Sequence, residues 1–271
     1  KDKLGEGSFE RVWRAARLLR KHRVNFATLS CVNRVTAQHP LQVYRFLRDE
    51  VGAGRMQFIP IVEPHGFWYK PPPFLDRQSM PLDGSPGARP GNPESVVEDW
   101  CVDPEDWGEF LCRVFDEWRQ KDLGRIYVNY FEAAVESWMG HLSPLCTQAP
   151  LCGKGLALEH DGSVYACDHF VYPKHEIGNI HENRLRDIVL YRAQVKFGYA
   201  KAEALPRCCR NCAYLDDCRG ECPKNRLLCT PEGEPGLNYL CRGLKAFYAH
   251  ALPEVERIVA NLRQPPLGMK R

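Results

Sequence analysis

The residues best equipped to do chemistry in this chain are its cysteines. There are thirteen among 271 residues, and ten of them fall between Cys146 and Cys241. One group is Cys146, Cys152 and Cys167, spaced C-x5-C-x14-C. The other is Cys208, Cys209, Cys212, Cys218 and Cys222, followed by Cys229 and Cys241. Counted from Cys209, that spacing is C-x2-C-x5-C-x3-C-x18-C. Thiolates this dense suit soft metal centres. Eight of them make two full four-thiolate sets, the complement of two 4Fe–4S clusters. C-x2-C is also a zinc half-site, so spacing alone leaves zinc and iron–sulfur both open. A disulfide framework is a third reading. Against it, the chain shows no secretory signal and is long enough to build a core without staples.

Elements must hold these thiols. Residues 8–22 read as an amphipathic helix with Ser8 as N-cap and Val12, Ala15, Ala16 and Leu19 on one face. Val24 to Val35 reads as a buried strand carrying Cys31. A helix follows from Pro40 to Val51, ended by Gly52, and Met56 to Val62 forms a second strand. This α, β, α, β order predicts parallel pairing with helical crossovers. Prolines and glycines over 63–102 predict a long loop, either a lid on the rim or a decoration. Asp103 should cap a helix with Pro104 at its first position, running to Lys121 with Cys112 as a small core residue. Ile126 to Tyr130 is a third strand and Phe131 to Met139 a short helix.

Past Cys146 the character changes. Leu156–Glu159 and Ser163–Ala166 flank HDG as a hairpin, which should bring Cys152 and Cys167 together. Helices are expected over Arg184–Phe197 and Tyr239–Leu262. The formal charge of +3, from 37 basic and 34 acidic residues, forces no nucleic-acid footprint. No stretch reaches the roughly 18 apolar residues of a membrane span. Many free cysteines without an export signal point to a reducing cytoplasm.

The cysteine-rich run resembles the SPASM domain of radical S-adenosylmethionine enzymes. The wording CDHFVYP (Cys167 to Pro173), IGNI (Ile177 to Ile180), CPKNR (Cys222 to Arg226) and LNYLC (Leu237 to Cys241) resembles the anaerobic sulfatase-maturating enzymes within them. The resemblance implies an α/β fold. Residues 1–143 would be the C-terminal half of a partial (β/α)6 radical S-adenosylmethionine barrel, with the insert at 63–102. Residues 144–271 would be a cysteine-rich α+β SPASM domain. It also implies an activity: oxidation of a Cys or Ser in a sulfatase to Cα-formylglycine. Cys146, Cys152, Cys167 and Cys222 would hold one auxiliary 4Fe–4S cluster. Cys209, Cys212, Cys218 and Cys241 would hold a second. Cys208 could compete with Cys209, whose C-x2-C spacing favours it. Asp168 matches the family's proposed base. Implied partners are an unfolded sulfatase polypeptide and an electron donor such as flavodoxin or ferredoxin.

The family's catalytic cluster, with S-adenosylmethionine on it, needs a C-x3-C-x2-C motif. Cys208 and Cys212 would require a cysteine where Leu215 stands, and Cys218 and Cys222 one where Asn225 stands. The chain therefore reads as a piece that begins after the motif and is inactive alone. S-adenosylmethionine and a third 4Fe–4S cluster would belong to the full-length protein. Two alternatives are another SPASM-type peptide-modifying enzyme and a non-catalytic metal-binding module that presents a peptide. Arg207, Arg210, Arg219 and Lys224 either offset cluster charge or are solvated loop cations. His160, His169, His175 and His181 read as loop residues rather than ligands.

Overall fold

The structure is a computed structural model that describes residues 5–73 and 80–263. Helix α1 (Phe9–Lys21) opens it. Its packed stripe is aromatic: Phe9 stacks on Trp13, and Trp13 lies 5.2 Å from Phe46, centroid to centroid. Val12 and Leu19, expected on the buried face, point to solvent. Large rings bury more surface per residue than Val or Leu, so they decide which way the helix turns. Ser8 precedes the helix, but its side chain makes no capping bond.

Strand β1 (Ala27–Val32) is shorter than the apolar run that announced it. It pairs with β2 (Arg55–Pro60) in parallel, from Ala27 opposite Arg55 to Val32 opposite Pro60. Among the described residues β1 is paired on one side only, so its burial alternates and Cys31 is exposed rather than core. Helix α2 (Pro40–Arg45) connects the two strands. It widens into a π-helical turn over Phe46–Val51 before Gly52 ends it at a φ of 73°. Helix α3 (Pro104–Lys121) starts where expected. The Asp103 carboxylate accepts from the Glu105 N–H at 3.0 Å, and Pro104 takes the first position. Strand β3 (Tyr127–Val128) adds to β2 in parallel and leads into α4 (Asn129–Trp138). The result is the predicted parallel sheet with helical crossovers.

The described residues of the 63–102 segment contain little regular structure, as its prolines dictate, yet they are packed. Val97, Cys101 and Val102 are fully buried. It is also fastened to the C-terminal half. The Cys229 N–H donates to the Pro81 carbonyl at 2.8 Å, and Arg242 pairs with Asp83 at 2.9 Å. Tyr172 donates to the Phe67 carbonyl, and Lys224 pairs with Glu63.

The C-terminal half begins with the expected hairpin, β4 (Ala157–Leu158) and β5 (Ser163–Tyr165), turning at Gly162 with a φ of 88°. A third strand, β6 (Glu176–Asn179), extends it antiparallel. The single helix expected at 184–197 is two, α5 (Leu185–Val189) and α6 (Arg192–Glu203), because Tyr191 adopts an extended ψ of 135°. Short helices α7 (Arg207–Arg210) and α8 (Leu215–Cys218) carry cysteines. The ribbon β7 (Leu228–Cys229) and β8 (Pro235–Leu237) follows, and α9 (Cys241–Arg263) closes the chain.

Helix α9 crosses α3 at two glycines. A Cβ on Gly108 would stand 2.6 Å from the Gly243 Cα, and one on Gly243 would collide with the Pro104 carbonyl. Without side chains at that point the backbones approach, and Phe247 reaches Phe115 and Phe131 at 6.0 and 5.9 Å. One hydrophobic core therefore runs from the parallel sheet through α3 and α4 into α9.

A charge network backs this core. Arg48 contacts Glu117 and Asp122 at 3.0 Å each, and the Tyr44 hydroxyl donates to Asp122 at 2.8 Å. Hydrogen bonds from Arg45 first, then Lys121 and Arg48, overcome burial and hold the Glu117 carboxyl at about 2, against 4.5 when free. A folded-state pKa below the unfolded one gives stability that is complete above about 4.5 and lost as pH falls towards 2. The wild-type melting temperature should therefore drop more steeply over that window than that of Glu117→Gln. Parallel slopes would remove Glu117 from the account of acid stability.

Candidate metal centres

Ten cysteines were expected to gather, and the fold brings nine of them into two neighbourhoods. Helix α7 presents Cys209, the turn after it Cys212, α8 ends on Cys218, and α9 begins on Cys241. These four and Cys208 line a single cavity walled by Leu215, Leu244 and Tyr248. The second group draws on distant parts of the chain. Cys146 lies in the loop after α4, Cys152 beside α6, Cys167 just past β5, and Cys222 just past α8. Cys222 feels the charges of Cys146 and Cys152, and Cys167 feels that of Cys222. Cys152 and Cys167 pack on the same small core of Ala166, Phe170, Phe197 and Ala200, which brings the two ends of the hairpin region together.

The loop of Cys152 is held tightly against α6. The Cys152 N–H donates to the Gly198 carbonyl at 3.1 Å, and a Cβ on Gly198 would come within 2.8 Å of the Cys152 carbonyl. Only a glycine lets loop and helix approach this closely.

Burial makes five of these thiols in particular reluctant acids. It pushes Cys222 and Cys209 up to about 12 and Cys241 to about 11, and raises Cys167 and Cys218 further. A thiolate there needs a cation to stabilise it, which a bound metal supplies while releasing the proton. Among the described residues no group of three or more His, Cys, Asp or Glu side chains is placed to hold a single metal ion. The five thiols of the first group instead surround a cavity. Five thiols around one space, with Lys245 also in its wall, fit a multinuclear cluster, whose irons each take one thiolate.

The cations expected to offset the thiols are mostly engaged elsewhere. Arg219 pairs with Asp216, Arg210 with Glu234, and Lys224 with Glu63. Two buried cations that the sequence reading passed over sit closer. Lys201, on α6, is 0% exposed and donates to the carbonyls of Cys146, Thr147 and Ala149 at 2.7, 2.7 and 2.5 Å. It shares the buried face of α6 with Gln194, Phe197 and Gly198. A lysine inside an apolar helical stripe was the available signal. Arg226, at the end of CPKNR, is 2% exposed.

Asp168 stands exposed at the start of a short 3-10 turn, Asp168–Phe170. Its Oδ1 accepts from the Cys167 thiol at 3.1 Å and from the His169 N–H at 3.1 Å. A metal-bound Cys167 has no proton to give, which would free that oxygen. His169 lies in the field of Asp168, Lys224 and Glu63. His175 packs edge-on against Phe170 at 5.0 Å, and His160 and His181 are exposed. Cys229 donates weakly to the Met80 carbonyl, and Cys101 accepts from the Glu63 N–H at 3.1 Å. Both belong to the strapping of 63–102.

Residues 151–213 match the SPASM family, an iron–sulfur cluster-binding domain. The whole chain is 38% identical over 274 residues to a serine-type anaerobic sulfatase-maturating enzyme of Bacteroides thetaiotaomicron, covering 63% of it. It is 26% identical over 266 residues to a cysteine-type anaerobic sulfatase-maturating enzyme of Clostridium perfringens (strain 13 / Type A), covering 64% of it. The solved structure of native anSMEcpe with bound AdoMet and Cp18Cys peptide superposes with a TM-score of 0.78 at 26% identity, over 97% of this chain and 65% of that one. The chain spans less than two thirds of the length of these relatives. It is related along its whole length to the anaerobic sulfatase-maturating enzymes, and it carries an SPASM iron–sulfur cluster-binding domain.

Proposed function

We propose that Cys146, Cys152, Cys167 and Cys222 hold one auxiliary 4Fe–4S cluster and Cys209, Cys212, Cys218 and Cys241 a second. The observation that supports this reading is the cavity lined by Cys209, Cys212, Cys218 and Cys241, with Cys208 beside them and no histidine in the lining. Cys208 is left as the neighbour of Cys209. Residues 144–271 then act as the auxiliary domain, and residues 1–143, with the insert at 63–102, as part of the barrel that it covers. As part of a protein that also carries C-x3-C-x2-C, the chain serves the oxidation of a side chain in a sulfatase polypeptide to Cα-formylglycine. The higher identity with the serine-type relative favours a seryl target.

S-adenosylmethionine with its own cluster, when bound, supplies the one-electron chemistry that removes hydrogen from the target Cβ. What the present residues add is proton and charge management. Asp168, exposed beside Cys167, takes the proton of the target hydroxyl or thiol. The clusters that the eight thiols would hold would supply an acceptor for the electron left behind, with a flavodoxin- or ferredoxin-like protein as the external redox partner. Among the described residues no helix is long and apolar enough to cross a membrane. Thirteen free cysteines suit a reducing cytoplasm.

Metal analysis after anaerobic reconstitution tests the assignment. About eight irons per chain are expected, with a broad absorption near ~400 nm from thiolate-to-iron charge transfer. Two zincs and no visible band would replace it with a pair of structural zinc sites.

A further inference from the structure

Arg226 is among the largest fully buried side chains of the described residues, at 2% exposure. A guanidinium removed from water costs several kcal/mol unless a negative group compensates. No carboxylate of the described residues forms an ion pair with it. The nearest in sequence, Glu221, accepts from the Tyr130 hydroxyl at 2.8 Å and from the Cys222 N–H at 3.2 Å. Arg226 instead donates to three backbone carbonyls. Nε reaches Gly220 at 3.2 Å, Nη1 reaches Lys201 at 2.8 Å, and Nη2 reaches Arg219 at 3.4 Å. Carbonyls satisfy its hydrogens and leave its charge unmatched.

The position of those carbonyls is informative. Arg219 and Gly220 lie between Cys218, of one thiol group, and Cys222, of the other. Gly220 has a φ of 68°, and a Cβ there would come within 2.8 Å of the Arg226 Nη2. The guanidinium thus lies against the short bridge joining the two groups. The ionisable groups whose charge acts most on it are Cys209, Cys152, Cys222 and Cys218, two from each group.

We infer that Arg226 is the shared counter-ion of the two clusters, a positioning residue that braces the Cys218–Cys222 bridge and sets both reduction potentials. This rests on the cluster assignment above. A fixed positive charge stabilises the reduced, more negative state of a cluster more than the oxidised one, and so raises its potential. One charge between two clusters raises both and eases their mutual repulsion.

The test is a redox titration of the reconstituted full-length protein, followed by electron paramagnetic resonance, with iron counted on each sample. Arg226→Gln keeps two donors and removes the charge. It should shift the one-electron equilibrium of both auxiliary clusters at least tenfold towards the oxidised form, which is 59 mV lower in potential. Arg226→Lys keeps the charge and should stay within threefold of wild type. A glutamine variant with eight irons and unmoved potentials, or with only one cluster moved, overturns the inference while leaving the cluster assignment intact. Should the glutamine variant take up no iron, the lysine variant decides. Iron uptake with potentials within threefold of wild type supports the shared charge, whereas lost iron or a tenfold shift overturns it. A wild-type protein without iron sinks the assignment and the inference together.

Discussion

Asp168→Asn, in a protein that also carries the C-x3-C-x2-C motif, is expected to lower formylglycine formation on a sulfatase peptide by roughly 10²–10⁴-fold, the usual worth of a positioned base. Iron content and cleavage of S-adenosylmethionine should stay at wild-type levels, because neither needs a proton acceptor at this position. Asparagine preserves the shape of the side chain and can still accept from the His169 N–H, so the turn at Asp168–Phe170 survives. It cannot take up a proton. Cys167→Ala is the necessary contrast, since it removes a proposed ligand one residue away and should lose iron together with activity. If Asp168→Asn loses iron as well, the carboxylate belongs to the architecture of the cluster loop. If the asparagine variant keeps both iron and full peptide oxidation, the base is another group.

The second large effect is expected from Lys201→Met. Three ammonium hydrogens meet three carbonyls, those of Cys146, Thr147 and Ala149, so every donor of the side chain is used. Methionine fills the same volume and donates nothing. Each of these part-buried carbonyls left unpaired costs at most about 1–3 kcal/mol, the penalty of a buried one. A surface loop avoids that cost by opening to water, and Cys146 would move with it. Iron should fall from about eight to about four per chain, with the group at Cys209, Cys212, Cys218 and Cys241 unaffected. Eight irons in the methionine variant would show that Cys146 is held by something other than Lys201. Loss of all eight would show that the two groups do not load separately.

The parts of this molecule legible in its sequence are those with local causes. Asp103 and Pro104 mark the start of α3 because a cap and a fixed φ act within one turn. The hairpin around Gly162 follows from turn chemistry in the same way, and the parallel sheet from the alternation of strand and helix. The thiol groups were partly legible too, since Cys209, Cys212 and Cys218 lie close in sequence. Non-local features were not legible. Cys31 looked like core because its strand is apolar, but burial depends on neighbours that a strand cannot name. The face of α1 was misjudged because Trp13 pairs with Phe46, 33 residues away. Lys201 and Arg226 carry charge into the interior for the sake of carbonyls and thiols from other segments, which no periodicity records.

The glycine crossing of α3 and α9 bears on how far the cysteine-rich half is a portable unit. Cys241 is the first residue of α9, and Leu244, Phe247, Tyr248, Ala251 and Val255 behind it are almost wholly buried. Much of what covers them, Trp107, Phe115 and Phe131 among them, comes from the other half. Cut out and grafted elsewhere, residues 144–271 would present that row of side chains bare, a sticky surface prone to self-association. The metal-binding half is therefore not a cassette: whatever protein borrows it must also bring a helix with a glycine notch for α9 to lie in.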